Sequence, residues 1–161
     1  MRIRNIAEPD WPEILRIQSE AHLPTVLETE HVLRSNRALE PATCFDCIGK
    51  DRDILAYCLA HPFAQNSIPR SGAAAVETPA VANLFVHDLA VQNSSQGQGV
   101  ATKLFFHLKK CAVERGFSSL SLVALQHADL FWQKMGLQQV KDMDVGSSYG
   151  EGASFMAMSI G

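Results

Sequence analysis

The sequence predicts a single α/β (α+β) domain, a mixed sheet with helices on both faces, and three observations lead there. The chain has 161 residues, enough to bury one core without disulfides or metals. Its apolar residues make up 47% and its charged residues 19%, ordinary values for a globular enzyme. Periodicity and punctuation, read from end to end, give the order β-α-α-β-β-β-α-β-α-β-β, which licenses a mixed sheet covered on both sides. Within that order, residues 83–108 (NLFVHDLAVQNSSQGQGVATKLFFHL) read as strand, glycine-bearing turn and amphipathic helix.

Residues 2–7 (RIRNIA) alternate as a short first strand. Glu8-Pro9-Asp10 then starts a helix, with Asp10 as the expected cap and Pro12 tolerated in the first turn. Ile14, Leu15 and Ile17 form its buried face, and Leu23-Pro24 breaks it after about Ala21. A second helix is expected from about Glu28 to Arg37. Thr43–Ile48 and Asp53–Ala60 read as two strands of a hairpin around Gly49-Lys50-Asp51-Arg52. Cys44 and Cys47 lie three apart on such a strand and so point to opposite faces, which favours two ordinary strand cysteines over half a metal site. Residues 62–80 form a long irregular stretch in which 73–77 could make a turn or two, and such loops often serve as lids or binding loops. Past the central unit, the helix stops at Arg115-Gly116, and a strand follows at Ser118–Ala124. A short helix is expected over Ala128–Met135, a strand over Leu137–Lys141, a turn-rich link over Gly146–Gly152 and a last strand over Ala153–Ile160.

Composition also limits the function. A formal charge of −3 without a basic run gives no electrostatic reason to expect nucleic acid. No apolar stretch reaches membrane-spanning length and the N-terminus lacks a signal peptide's apolar region, so a cytoplasmic location and no membrane partner are expected. Four cysteines fit a reducing compartment.

The turn before the central helix is built to bind phosphate. The first amides of a helix lack intrahelical partners and sit at the positive end of its dipole, and glycines remove the Cβ atoms that would keep a pyrophosphate away. Two common phosphate loops are excluded by spacing: no lysine follows Gly99, and no third glycine completes GxGxxG. What matches is [RQ]-x-x-G-x-[GA] at Gln96-Gly97-Gln98-Gly99-Val100-Ala101. This hexad, between HDLAV and an amphipathic helix, resembles the acyl-CoA loop of the GNAT superfamily of N-acyltransferases. The segment Ala128-Asp129-Leu130-Phe131-Trp132-Gln133-Lys134-Met135-Gly136-Leu137 is similar to a second motif of that superfamily, A-x-x-[hydrophobic]-[YFW]-x-[KR]-x-G-[FL]. The two motifs lie in the superfamily's order and at about its separation.

The resemblance implies a mostly antiparallel mixed sheet of about six to seven strands. It implies acetyl-CoA as the cofactor, cradled by the amides of Gln96, Gly97, Gln98, Gly99, Val100, Ala101 and Thr102. Leu89, Ala90 and Val91 are implied to present backbone groups to the pantetheine arm, beside a bulge that splays the sheet, and Phe131, Trp132 and Lys134 to flank the cofactor. The acceptor is an amine of a small molecule or peptide, no metal is required, and a homodimer is left open.

Acyl transfer to an amine also needs a base and a proton for the leaving thiolate. His87 and Asp88 stand on the strand whose end meets the thioester, and an imidazole suits accepting a proton near neutral pH. The pattern His-x-Leu-Ala-Val resembles that of arylalkylamine N-acetyltransferases, where a strand histidine helps remove the amine proton; the match is partial, because two positions earlier stands Phe85, which cannot titrate. On strict alternation His87 and Asp88 face opposite sides unless a bulge intervenes, so one of them is expected in the site and the other in a structural role. Many members of the superfamily carry a tyrosine four residues before the glycine of the second motif; here Trp132 stands there, leaving Tyr149 as the expected acid. Two readings remain at this stage, an amine N-acetyltransferase and a non-catalytic acyl-CoA-binding domain of the same fold.

Overall fold

The computed structural model describes residues 1–75, 81–125 and 128–161. It contains seven strands, β1 (Arg2–Asn5), β2 (Phe45–Ile48), β3 (Ile54–Pro62), β4 (Asn83–Val91), β5 (Ser119–Ala124), β6 (Gln138–Gln139) and β7 (Ser154–Ser159). Four α-helices accompany them, α1 (Trp11–Ala21), α2 (Glu30–Leu39), α3 (Val100–Glu114) and α4 (Asp129–Lys134). The strands form one sheet in the order β1-β2-β3-β4-β5-β7-β6. Every neighbouring pair is antiparallel except β4 and β5, which run parallel and are joined by the α3 crossover.

The sheet separates two cores. On one side α3 lays Val100, Leu104, Phe105, Leu108 and Ala112 against Cys58, Ala60, Leu84, Val86 and Leu120, and Trp132 of α4 joins this layer. On the other, Trp11, Ile14 and Ile17 of α1 and Leu33 of α2 cover Tyr57, Leu59 and Ala90. The two-residue side-chain period of the strands divides them this way. Cys47 faces the α3 core and Cys44 the other, as their spacing predicts.

Several boundaries differ from the sequence reading for identifiable reasons. Asp10 does not cap α1 through its side chain; its carboxylate accepts from the Ala7 amide at 2.7 Å and pairs with Arg4 at 2.7 Å, closing the 3-10 turn that precedes the helix. Helix α2 begins two residues later than expected, because the Thr29 side chain caps it by accepting from Val32 N. β6 is only two residues long and ladders onto β7 at an edge of the sheet. Of the irregular 62–80 stretch, 63–75 is a strap with turns at 65–66 and 71–72, and residues 76–80, including the last two positions of the expected turn at 73–77, lie outside the described residues. Among the described residues no helix is long and apolar enough to cross a membrane.

Candidate active site

β4 pairs with β5 only from Asn83 opposite Ser119 to Val86 opposite Leu122. Beyond that point the parallel strands part while β4 stays laddered to β3 as far as Val91. A cleft opens in the sheet, lined by Val86, His87, Asp88 and Leu89 on one bank, Leu122, Val123 and Leu125 on the other, and Ala128 and Trp132 below.

The register of β3 against β4 shifts at the same level. Ala60 lies opposite Val86 and Leu59 opposite Asp88, so His87 is an extra residue in the ladder. This one-residue bulge resets the alternation. Leu84, Val86 and Leu89 all pack toward the α3 core. The rings of Phe85 and His87 lie 6.4 Å apart, and Asp88 meets Tyr57 of the α1-side core. His87 and Asp88, adjacent in sequence, thereby share one face of the sheet.

Two histidine–carboxylate couples meet there. His87 Nε2 lies 2.5 Å from Glu28 Oε1, with side chains only 4% and 11% exposed. Glu28 sits in the link between α1 and α2, and Gln18 of α1 clamps its backbone, accepting from Glu28 N at 2.7 Å and donating to Glu28 O at 3.1 Å. The second carboxylate oxygen of Glu28 accepts from Gly72 N at 3.1 Å, tying the strap to the site. In the other couple, His22 Nε2 lies 2.7 Å from Asp88 Oδ1, and the Tyr57 hydroxyl donates to Asp88 Oδ2.

The electrostatics follow from burial and pairing. Burial works to raise the Asp88 carboxyl, but His22 and the Tyr57 hydroxyl outweigh it and hold the group below the usual carboxylate range. Burial works to lower the His22 imidazole, and the Asp88 charge overrides it and raises the pKa. Burial, then the Asp88 charge, pushes the Tyr57 phenol well up, so it stays a neutral donor. His61, 2% exposed beside the His87 ring at 5.8 Å, is brought down to about 4, by burial first and by His87 second.

A small second cavity adjoins the cleft on this face, walled by Val26, Glu28, Ser71, Phe85 and Tyr149. Tyr149, expected as an acid, lies in this wall with its hydroxyl donated to the Pro69 carbonyl, and burial, then the Glu28 charge, raises its pKa. It works here as a clasp between the 146–152 link and the strap.

The cofactor end is simpler. Val91, Gln96, Gly97, Gly99, Val100, Ala101, Thr102 and Phe131 line one hollow at the start of α3. Gly97 and Gly99 both have φ +77°, and a Cβ built on either would meet no protein atom within 4 Å. The space over the free helix amides is therefore open, as a pyrophosphate requires, and the residues present fit an acyl-CoA. Gln98 is exposed at the edge of the turn, Leu89 and Trp132 line the cleft, and the Ala90 side chain faces the α1 core while its backbone stays on β4. Trp132 is 8% exposed and stacks edge-on against Phe105 and Phe131. Lys134 is exposed at the end of α4 and lines neither the cleft nor the hollow.

His22, Glu28 and Tyr57 escape a reading of the sequence. None belongs to a motif, and each comes to the site from a different element. Among the described residues no cluster of His, Cys, Asp and Glu is arranged to hold a metal ion.

Comparisons with known proteins bear on the family and the fold. The model of the acetyltransferase (GNAT) family matches residues 2–137. A comparison with curated proteins found no match. Among solved structures, the ribosomal-protein-S18-alanine N-acetyltransferase from Escherichia coli superposes with a TM-score of 0.74 at 19% identity, covering 99% of this chain and 93% of that one. Ard1 from Thermoplasma volcanium gives 0.76 at 14% identity over 99% and 97%. A GNAT-like decarboxylase in complex with isobutyryl-CoA gives 0.78 at 12% identity over 99% of each chain. At these identities the superpositions establish the fold, while the family model covers most of the sequence itself. The chain belongs to the acetyltransferase (GNAT) family, whose members bind acyl-CoA and act as N-acetyltransferases.

Proposed function

We propose that this protein is an acetyl-CoA-dependent N-acetyltransferase that acylates a primary amine of a small molecule or peptide by direct attack on the thioester. The observation that carries this reading is the bulge at His87, which turns His87 and Asp88 onto one face where β4 leaves β5. Acetyl-CoA, when bound, supplies a thioester carbonyl to which the amine nitrogen bonds as the C–S bond breaks, the sulfur leaving with the electron pair.

The residues of the chain divide the remaining work. The amides from Gln96 to Thr102 hold the pyrophosphate at the start of α3, and the unpaired edge of β4 at Leu89–Val91 orients the pantetheine arm. Phe131 and Trp132 wall that arm on the far side. Glu28 and Asp88 put two carboxylates beside the acceptor cavity, which suits an amine that arrives as a cation. Before it reacts the ammonium must lose a proton, and His87 is the acceptor of that proton. In this scheme the Glu28 carboxylate accepts a hydrogen bond from His87 Nε2–H, which leaves Nδ1, a buried atom without a partner among the described residues, to receive the proton.

The test is release of free thiol from acetyl-CoA in the presence of polyamines, aryl-amines, amino acids and peptide N-termini. Acylated product from at least one class is expected. Tight acetyl-CoA binding without turnover across the panel would instead identify a non-catalytic acyl-CoA-binding domain, the reading that Trp132 in the tyrosine position favours.

A further inference from the structure

The leaving thiolate needs a proton, and neither tyrosine of the chain is placed to give one. Tyr57 is fully buried with its hydroxyl on Asp88, and the Tyr149 hydroxyl is on the Pro69 carbonyl. Trp132, where many relatives of this fold have a phenol, offers only an indole N–H, which is no acid at neutral pH.

The cleft and the acceptor cavity share five residues: His22, His87, Asp88, Val123 and Leu125. Their junction is where a thioester lying in the cleft meets an amine lying in the cavity. Of the three polar groups there, Asp88 has both oxygens engaged, by His22 and Tyr57. His87 is tied to Glu28 and is almost fully buried. His22 is the most open of the three, with its side chain 16% exposed, and among the described residues only its Nε2 is engaged. It closes the C-terminal end of α1, where the helix dipole favours a cation.

We propose that His22, held by the Asp88–Tyr57 pair, is the catalytic acid that protonates the leaving thiolate. The assignment rests on the N-acetyltransferase reading above and names the residue it leaves open. His22 begins as an imidazolium, with Nε2–H on Asp88 and Nδ1–H without a partner among the described residues. As the C–S bond breaks, the Nδ1 proton passes to the sulfur and the ring becomes neutral. The ammonium gives up two protons, one before attack and one from the nitrogen as the C–N bond forms; each passes by way of His87 to solvent, and solvent returns one to His22. The net transfer is one proton from ammonium to thiol and one to solvent, and both histidines are restored. Tyr57 and Asp88 are positioning residues in this scheme.

The charged and titratable groups around His22 are Asp88 and His87 of β4, Glu28 of the α1–α2 link and Tyr57 of β3. Asp88 outweighs burial, so the imidazolium persists to a higher pH than that of a free histidine.

The decisive experiment compares two acyl donors, acetyl-CoA and an acetyl thioester of an acidic aryl thiol, in the wild type and in His22→Gln. Loss of the acid should lower turnover with acetyl-CoA by at least about tenfold, within the range for one proton-transfer group, and leave the aryl thioester near wild type, since that leaving group needs no proton. Acetyl-CoA affinity should be unchanged. An independent readout is the His22 imidazole titration followed by NMR in the free protein, where Asp88→Asn should lower the pKa. That variant also serves if His22→Gln does not fold, because it should move the alkaline limb of the pH–rate profile for acetyl-CoA to lower pH. Equal losses with both donors, no loss with either, or an unmoved His22 titration in Asp88→Asn would overturn the assignment. Absence of thiol release by the wild type with every amine would overturn the N-acetyltransferase reading and this assignment with it.

Discussion

The two ends of the active cleft are built in opposite ways. At the cofactor end, the end of β4, the glycine turn and the start of α3 are contiguous, and the hollow draws all but one of its lining residues from 91–102. In the proposed binding mode backbone amides hold the pyrophosphate there, so what matters is chain geometry: two left-handed glycines and a helix that begins on time. The acceptor end is assembled from His22, Glu28, Tyr57, His87, Asp88 and Tyr149, brought together across the whole fold. Its chemistry lies in side chains whose protonation depends on burial and on one another. A cofactor common to a family can be held by a local device, whereas a particular acceptor needs groups gathered from several elements.

The largest effect should come from the acceptor end. His87→Ala is expected to lower turnover by roughly 10²-fold or more while leaving acyl-CoA affinity near normal. Steady-state kinetics alongside calorimetric binding would show it. A folded variant with wild-type turnover and an unchanged pH–rate limb would remove His87 from the chemistry and weaken the contrast between the two ends.

The same end should carry the acid sensitivity of the fold. His61 is neutral when folded, with a pKa of about 4 against about 6.5 for a free histidine. Its contribution to stability is fully present above about pH 6.5 and is lost as pH falls toward the folded value, about 2 kcal/mol by pH 4.5. The raised His22 works in the opposite sense, adding stability below its unfolded pKa and losing it as pH rises through the folded one. Urea unfolding of wild type and His61→Phe at pH 7 and pH 4.5 isolates the His61 part. The wild type should lose more on acidification, and parallel losses would show that His61 does not carry the effect.

The cofactor end should respond in binding alone. Gly99→Val places a branched side chain in the open space above the helix amides and forces it into a left-handed conformation. Acyl-CoA should bind at least about tenfold more weakly, some 1.4 kcal/mol. Unchanged affinity in a folded protein would mean that the pyrophosphate lies elsewhere.

The smallest effect is expected at the clasp. Tyr149→Phe removes one hydrogen bond to Pro69, and the acceptor KM should shift by no more than about tenfold with kcat little changed. A larger fall in kcat at constant KM would transfer the acid role from His22 to Tyr149.

How much could be read without the structure follows the same division. The alternation of β4, the glycine turn and the apolar stripe of α3 are local patterns, and each folds as its period dictates. The element order was legible throughout, and errors were confined to boundaries such as the start of α2 and the length of β6, which a cap and an edge pairing decide. The expectation that only one of His87 and Asp88 enters the site fails, because a bulge is a property of two strands in register and local alternation does not carry it. Tyr57 is fully buried in the core, yet its hydroxyl reaches Asp88.

The sequence alone therefore determined the sheet and helix order, the glycine turn that opens α3 and the pair of candidate groups on β4, because periodicity, glycine placement and helix termini act within a few residues. Only the tertiary structure decided that Glu28 holds His87 and His22 holds Asp88. These partners are 59 and 66 residues apart in the chain, and nothing local distinguishes His22 or Glu28 from any surface residue near a helix end. Their roles arise when packing removes water from around them, since burial makes each charge depend on the one neighbour that can compensate it.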